Sequence, residues 1–337
     1  MALFDLPLTE LERYLPAPQE PADLDDFWST TLAAARTEPA VVGVERVDTG
    51  LTTVDTWDVT FAGAHGDPVR AWYSRPAGSD DRTLPAVVEY LGYGRGRGFP
   101  QERLTWASAG YAHLLMDSRG QGSQYGSGGH TPDPSGSAPA APGFVTRGIL
   151  DPSTAYFGRL ITDAVRAVDA VRELPGVDSG RVAVVGNSQG GGLAVAVAGL
   201  VPDLVAALPS APFLCHVRRA VDLTDADPYG EITRYLAVHR GAQDAVFGAL
   251  AYLDGMHLAR RARAATLFSV GLRDTICPPS TVFATFNHYG ALAPDGAAPV
   301  KDIAVYPYNH HEGGEAAHVA AQLPWLRTRM ADAASAG

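Results

Sequence analysis

Hydrophobic and polar positions change their spacing along the first part of the chain. Within residues 1–40, the segment DLDDFWSTTLAAART places apolar residues at helical intervals behind an acidic first turn, which predicts a helical N-terminal arm. Residues 56–63 and 68–76 then alternate polar and apolar side chains, with AHGD between them. This alternation predicts two half-buried antiparallel strands joined by a turn.

From residue 85 onward, short apolar segments alternate with longer segments of helical periodicity. Most of the short segments are apolar nearly throughout, as strands covered on both faces must be. Strands that alternate with helices predict an α/β fold with a doubly wound, mostly parallel sheet. The predicted strands are residues 85–92, 112–117, 181–188, 265–271 and 302–307, and the predicted helices are residues 154–174, 191–201, 279–290 and 313–333.

Two stretches interrupt this alternation. Residues 123–143 are rich in Gly, Ser and Pro, and so long a loop inside a compact domain is either functional or mobile. Residues 213–262 are too long for a plain crossover and contain helical pieces, which predicts an insertion over the sheet edge and the active site, a candidate lid. No internal repeat is visible, so we interpret residues 1–337 as a single domain.

Composition excludes several classes of protein. The formal net charge of -11 argues against nucleic-acid and anionic-membrane partners, which select for basic surfaces. No run approaches 18 apolar residues, and the N-terminus lacks a basic segment followed by an apolar one, so we expect a cytoplasmic protein. Only Cys215 and Cys277 carry thiols, and we interpret them as buried and reduced rather than as a disulfide scaffold.

The segment VAVVGNSQGGG carries the strongest local signal. It places Gly186-Asn187-Ser188-Gln189-Gly190 directly after a predicted strand and directly before a predicted helix. This G-x-S-x-G pattern is typical of a sharp turn that exposes a nucleophilic serine above a sheet, with glycines where a side chain would clash. The backbone N–H of Gln189 would then point at a developing oxyanion.

A nucleophilic serine needs a base and an acid that orients the base. Asp274 lies just beyond the predicted strand 265–271, and the histidines of NHHEGG lie just beyond the predicted strand 302–307. The order Ser, Asp, His, with each residue after a strand, is the order of α/β-hydrolases. Local geometry leaves open whether His310 or His311 is the base.

With these residues in place, the chain resembles the acetyl xylan esterase and cephalosporin C deacetylase family, carbohydrate esterase family 7. The resemblance covers nearly the whole chain, which makes it more specific than any one motif. It is carried by FDLPLTEL near the start, GYGRGRGFP (92–100), RGQG (119–122), GILDP (148–152), GNSQGG (186–191), PFLCHVRRAV (212–221), DPYGEI (227–232), FSVGLRDTICPPSTVFA (268–284) and HEGG (311–314).

The resemblance implies an α/β-hydrolase fold and a metal-free serine esterase without a cofactor. It implies Ser188 as nucleophile, His311 as base and Asp274 as the orienting acid, with backbone N–H groups of Tyr93 and Gln189 as the oxyanion hole. It further implies acetylated xylo-oligosaccharides and cephalosporin C as substrates, and a hexamer built as a dimer of trimers. A small acyl pocket would be formed by Phe213, Pro228 and Ile276.

The chain departs from the family pattern at three places. Asn187 stands where the family more often has Gly, Arg95 stands in GYGRGRG where the family commonly has GYNGGRG, and the stretch 123–143 contains an expanded HTPDPSGSAPAAPG. These departures leave the shape and charge of the entrance open, together with the role of His310.

Several motifs admit rival interpretations. In RGQG we favour a structural role for Arg119 and Gln121, with Arg119 paired to a carboxylate. The H-E-x-x-H spacing of a zinc site is absent from NHHEGGE, and one GRGRG stretch in an acidic chain does not indicate RNA binding. A peptidase or longer-acyl carboxylesterase on the same fold is the alternative function. A catalytically silent assembly or ligand-binding protein is disfavoured, because Ser188, Asp274 and His311 are all present.

Overall fold

The computed structural model describes residues 3–136, 138–293 and 298–336, so Ser137 of the predicted loop 123–143 lies outside the described residues. Within these residues, nine strands form one sheet, whose order is β1 (Val41–Val47), β2 (Val54–Ala62), β3 (Pro68–Pro76), β5 (Ala112–Met116), β4 (Leu84–Tyr90), β6 (Val177–Asn187), β7 (Ala206–Ser210), β8 (Ala265–Gly271) and β9 (Lys301–Tyr306). The strands from β5 to β9 along this order pair in parallel, whereas β1, β2 and β3 are antiparallel to their neighbours. The predicted antiparallel pair and the mostly parallel sheet are therefore confirmed.

The α-helices are α1 (Leu8–Leu11), α2 (Leu24–Ala35), α3 (Thr105–Ser108), α4 (Tyr156–Glu173), α5 (Gln189–Leu200), α6 (Val217–Leu223), α7 (Tyr229–Val238), α8 (Gln243–Ala251), α9 (Gly255–Ala259), α10 (Pro279–His288) and α11 (Glu315–Ala336). All four helices predicted after residue 150 are present.

Helices pack on both faces of the sheet. Val88 of β4 belongs to the large core that includes α4 and α5, whereas its neighbour Val87 packs with Trp106 of α3 and Leu326 of α11 on the opposite face. Adjacent residues of a strand point to opposite faces, so a central strand covered on both sides has to be apolar throughout. The unbroken apolar strands of the sequence therefore follow from this two-faced cover.

Two strands were missing from the sequence prediction. β7 is the short segment AALPS, and it lies between β6 and β8 both along the chain and in the sheet. Ser188 and Asp274 therefore do not follow neighbouring strands, because β7 separates them. β1 forms the edge of the sheet, and its four valines occupy both half-buried and exposed positions, so the segment VVGVERV shows no regular alternation of apolar and polar residues.

The N-terminal arm is less helical than the sequence predicted. Within residues 3–40, the helices are a single turn at α1 and three turns at α2. The stretch between them contains Pro16, Pro18 and Pro21, and each proline lacks the N–H that a helix interior requires. The helical arm predicted over 1–40 was therefore wrong for the segment between the two helices.

The segment 213–262 forms four short helices, α6 to α9, that leave the sheet after β7. α9 packs on α5 and α10, α6 also contacts α10, and α7 and α8 pack against α6. The first turn of α7 reaches the carboxyl ends of the parallel strands. Within the part of the chain that the structure describes, every helix is too short or too polar to cross a membrane.

Candidate active site

Ser188 occupies a strained turn between β6 and α5. Its backbone has φ 58° and ψ −119°, a conformation that L-residues rarely adopt. Two glycines make the turn possible, because a Cβ at Gly186 would lie 2.3 Å from the carbonyl carbon of Gly190, and a Cβ at Gly190 would lie 2.1 Å from the carbonyl oxygen of Tyr90. The G-x-S-x-G pattern is thus required by backbone packing on both sides of the serine.

Three side chains from separate strand ends meet in a continuous hydrogen-bonded chain. Ser188 follows β6, Asp274 follows β8 and His311 follows β9, and parallel strands bring their carboxyl ends to one edge. The distance from Ser188 Oγ to His311 Nε2 is 2.7 Å, and that from His311 Nδ1 to Asp274 Oδ2 is 2.8 Å. The structure therefore brings together the serine, acid and histidine that the sequence singled out.

The orientation of Asp274 fixes the tautomer of His311. Asp274 is 1% exposed, and its Oδ1 accepts the backbone N–H groups of Ile276 (2.8 Å) and Cys277 (2.9 Å). Its Oδ2 faces Nδ1 of His311, so Nδ1 carries the proton and donates it. Nε2 is then free to accept the hydroxyl proton of Ser188.

His310 points away from this arrangement. Its side chain is exposed, and its Nδ1 lies 2.9 Å from the carbonyl oxygen of Arg273. Its backbone N–H donates to Oε2 of Glu312 at 2.9 Å. Of the two adjacent histidines, only His311 reaches Ser188. The geometry therefore favours His311 as the base, which the local sequence had left open.

Of the two predicted oxyanion-hole residues, Gln189 directly follows Ser188 and Tyr93 lines the same cavity as Ser188. Gln189 is the first residue of α5, so its backbone N–H has no partner within the helix. Its side chain donates to the carbonyl oxygen of Leu91 at 3.1 Å, which ties the helix start to the loop after β4. Tyr93 lies two residues further along that loop and lines the same cavity as Ser188.

Gln121 and Arg119 of the RGQG motif hold these loops in place. Oε1 of Gln121 accepts the backbone N–H of Gly94 at 2.6 Å, and its Nε2 donates to Gln189 at 2.7 Å. Arg119 is fully buried and donates two bonds to the carboxylate of Asp163, at 2.6 and 2.7 Å. Through these hydrogen bonds, Gln121 and Arg119 hold neighbouring segments in position. None of the four bonds is to Ser188.

A cavity of about 480 Å³ opens beside the serine. Pro228 and Ile276 are among its walls, as the resemblance implied. Phe213 is not, because it is fully buried beneath the cavity, with its ring 4.7 Å from that of Tyr229. Its backbone N–H donates to the carbonyl oxygen of Ser188 at 3.0 Å, so Phe213 supports the turn rather than forming a wall.

The cavity also contains residues that sequence reasoning missed. Glu231 is 2% exposed and accepts a hydrogen bond from the hydroxyl of Tyr93. Burial raises the pKa of the Glu231 carboxyl. The pKa of the Tyr93 hydroxyl is also raised, mainly by burial and additionally by the neighbouring Glu231 carboxylate. The signal that could have found Glu231 is its position in DPYGEI, one of the segments that carry the family resemblance. The other additional wall residues are Gln124, Tyr125, Pro142, Gly143, Asp227 and Arg234.

The two substitutions relative to the family pattern lie at the rim. Asn187 is exposed and lines both this cavity and a neighbouring polar cleft of about 450 Å³. Arg95 lines the cleft, donates to Glu102 at 3.0 Å and lies 5.9 Å above the ring of Tyr125. Both departures therefore change the polar surface between the two openings rather than the hydrogen-bonded chain.

One group in the site has the composition of a metal-binding cluster. Ligand atoms of Asp274, Cys277 and His311 lie within 4.8 Å of one another. However, burial raises the pKa of the Cys277 thiol well above its usual value, which disfavours the thiolate that a metal requires. Both carboxylate oxygens of Asp274 already accept hydrogen bonds. These residues fit a serine–histidine–acid arrangement better than a metal site.

Comparison with known proteins places this site in a family. The family model described as "Acetyl xylan esterase (AXE1)" matches residues 1–329. An acetyl xylan esterase from Paenibacillus sp. R4 is 38% identical, covers 96% of this chain and 99% of that chain, and superimposes with a TM-score of 0.88. Acetyl xylan esterase 1 from Thermoanaerobacterium sp. JW/SL YS485 is 31% identical over the same shares, with a TM-score of 0.86. The acetyl esterase Axe7A from Xylanibacter ruminicola is 26% identical over 323 residues, which is 94% of this chain and 69% of that protein.

Proposed function

Because the chain belongs to the acetyl xylan esterase family, we propose that it is a serine esterase that removes acetyl groups from small O-acetylated substrates through an acetyl-serine intermediate. Family membership supports hydrolysis of acetyl esters. The serine mechanism is supported by one observation above all, the chain of hydrogen bonds from Ser188 through His311 to Asp274 at 2.7 and 2.8 Å.

In the first half-reaction, Oγ of Ser188 attacks the acetyl carbonyl carbon while Nε2 of His311 takes the hydroxyl proton. The carbonyl oxygen becomes an oxyanion, which the backbone N–H groups of Tyr93 and Gln189 stabilise. The tetrahedral intermediate collapses, the bond from the carbonyl carbon to the alcohol oxygen breaks, and the alcohol leaves with the proton from His311. Asp274 stabilises the imidazolium and keeps its orientation.

In the second half-reaction, a water molecule attacks the acetyl-serine. His311 accepts a proton from the water, the same N–H groups stabilise the second oxyanion, and the bond to Ser188 Oγ breaks. Acetic acid is released and loses its proton to solvent to give acetate, and Ser188 regains its proton from His311. Protons and electron pairs balance with water as the only co-reactant, so the cycle requires no cofactor.

A short acyl group is proposed on the strength of the family resemblance. Pro228 is buried, Ile276 is half-buried, and both line the cavity that Ser188 and His311 also line. We propose acetylated xylo-oligosaccharides and cephalosporin C as substrates on the strength of the family resemblance. A hexamer of stacked trimers is proposed on the same basis, and light scattering of the purified chain should then give six times the mass of one protomer.

Replacement of the nucleophile tests the mechanism directly. Ser188→Ala should lower acetate release from acetylated xylose by about 10⁴-fold or more, because the acetyl-serine cannot form. Thermal unfolding of the variant should match the parent, since the serine hydroxyl bonds only to His311. Acetate release at the parental rate from Ser188→Ala would exclude this mechanism.

Relative rates on nitrophenyl esters test the alternative of a longer-acyl esterase or peptidase. We expect kcat/KM to fall from acetyl to butyryl to octanoyl esters, because the family resemblance implies a small acyl pocket. Highest turnover with octanoyl esters, or release of amino acids from peptide amides, would favour the alternative.

A further inference from the structure

Glu231 is a buried carboxylate in the wall of the active-site cavity. It is 2% exposed, and among the described residues the structure shows no ion pair for it. Arg234 also lies on α7, but its guanidinium pairs with Asp227 at 2.6 Å. Burial of a carboxylate without a paired cation costs free energy. A carboxylate in this position beside a reactive serine therefore indicates a functional role, and its hydrogen bonds show which one.

The hydrogen bonds of Glu231 converge on two loops of the site. Its Oε1 accepts the hydroxyl proton of Tyr93, and its Oε2 accepts the backbone N–H of Val145 at 2.9 Å. The hydroxyl oxygen of Tyr93 in turn accepts the backbone N–H of Phe144 at 2.6 Å. The hydroxyl of Tyr93 is therefore held by two groups from distant parts of the chain, the Glu231 carboxylate and the Phe144 N–H, and Val145 in turn holds Glu231.

The backbone of Tyr93 needs such an anchor. Tyr93 lies between Gly92 and Gly94, and Gly94 has a φ of 81°, so the local chain has wide conformational freedom. Gln121 holds the loop from one side, through the N–H of Gly94 at 2.6 Å. The hydroxyl of Tyr93 is the corresponding attachment on the other side, and it leads to Glu231.

We propose that Glu231 is a positioning residue for the oxyanion hole, which acts by holding the Tyr93 side chain and thereby the direction of the Tyr93 backbone N–H. This inference rests on the proposed function, because it assigns that N–H to the oxyanion. Ring contacts help, since the Tyr93 ring lies 5.5 Å from the Phe144 ring and 6.3 Å from the Phe213 ring. Ring packing alone leaves the ring free to slide in its plane, whereas the hydroxyl contact fixes its depth.

Two nearly isosteric variants remove this contact from opposite ends. Tyr93→Phe deletes the hydroxyl and keeps the backbone N–H. Glu231→Gln replaces one acceptor oxygen with a donor. Two donors, the Tyr93 hydroxyl and the Val145 N–H, then face a single acceptor, so one of the bonds is lost. Tyr289→Phe is the matched control, because Tyr289 is also buried and donates its hydroxyl to a carbonyl, that of Ala264, at 3.0 Å.

Three readouts distinguish positioning from simple stability. For Tyr93→Phe and Glu231→Gln, we expect kcat on an acetyl ester to fall roughly tenfold to hundredfold while KM changes little. Affinity for a trifluoromethyl ketone, which forms an oxyanion-bearing adduct with the serine, should fall by the same factor as kcat/KM. The double variant should have no lower kcat than the less active of the two single variants, because both substitutions break the same contact. Tyr289→Phe should keep parental kcat and inhibitor affinity.

The outcomes separate this inference from the proposed function. Parental kcat in Tyr93→Phe and Glu231→Gln, combined with Ser188-dependent hydrolysis, would overturn the positioning role and leave the serine mechanism intact. Multiplicative losses in the double variant would also overturn it, since they would mean that the two side chains act independently. Hydrolysis that persists in Ser188→Ala would instead remove the proposed function itself.

Discussion

At the scale of single residues, the adjacent histidines offer a sharp test because they differ by one position and lead to opposite expectations. His311→Asn should reduce kcat by about 10⁴-fold, because Nε2 is the acceptor for the Ser188 proton. His310→Asn should retain most activity, since its imidazole is exposed and faces the carbonyl oxygen of Arg273. Steady-state hydrolysis of nitrophenyl acetate measures both, and the reverse ranking would move the base to residue 310.

Sequence alone reached the residues whose position follows from a motif or a strand end. Ser188 could be placed because the glycines around it are required by backbone contacts, and Asp274 because it follows an apolar strand. Glu231 could not be placed this way, since its partner Tyr93 is 138 positions away along the chain. Phe213 was assigned to the acyl pocket by resemblance, and only the packing against Tyr229 shows that it lies beneath the wall.

At the scale of elements, two aspartates of α4, Asp163 and Asp169, pair with arginines from other elements and differ in burial. Arg119 is fully buried on Asp163, whereas the Arg36 side chain is 44% exposed and also makes two bonds, to Asp169. Arg119→Met should lower the free energy of unfolding by about 3–5 kcal/mol, because it leaves the buried Asp163 carboxylate without its cation. Arg36→Met should lower it by no more than about 1 kcal/mol, since water screens the exposed pair.

Urea unfolding of both variants at neutral pH measures this difference. Equal losses would show that burial does not determine the contribution of these pairs. The Arg119 variant should also keep its triad distances where it remains folded, because Arg119 donates to aspartates rather than to the triad.

Whether a strand could be predicted from the sequence depended on how it is buried. Strands covered by helices on both sides were visible as apolar runs. β7 was not, because AALPS is only five residues long, and Ala and Pro have little preference for strands. β1 was not, because the valines of this edge strand do not alternate with polar residues. Sequence patterns reveal what is buried, so they fail at short and peripheral strands.

At the scale of the whole molecule, a buried histidine makes stability depend on pH. Burial lowers the pKa of His318 from its ordinary 6.5 to about 4, and its Nδ1 lies 3.1 Å from the hydroxyl of Tyr306. Between pH 6.5 and 4, the unfolded chain therefore binds a proton that the folded chain does not. The free energy of unfolding should fall as pH decreases through this window and then flatten with respect to this group below pH 4.

His318→Gln removes this contribution while leaving a side chain that can bond to Tyr306. Urea unfolding at pH 7 and pH 4.5 should show a decrease smaller by about 1–3 kcal/mol in the variant than in the parent. A decrease remains in the variant, because burial also lowers the pKa values of His216 and His288. Identical decreases in the two proteins would contradict the assignment to His318.

The reacting side chains and most of the cavity wall come from different parts of the fold, which has a consequence for engineering. The reacting side chains follow β6, β8 and β9, whereas most of the cavity wall comes from the start of α7 and the loops around residues 124 and 142. Libraries that vary Gln124, Tyr125, Pro142 and Asp227 would therefore sample new substrate shapes while the catalytic chain stays constant. The glycines at 186 and 190 should be held fixed in such libraries, because even a methyl group there would collide with the backbone.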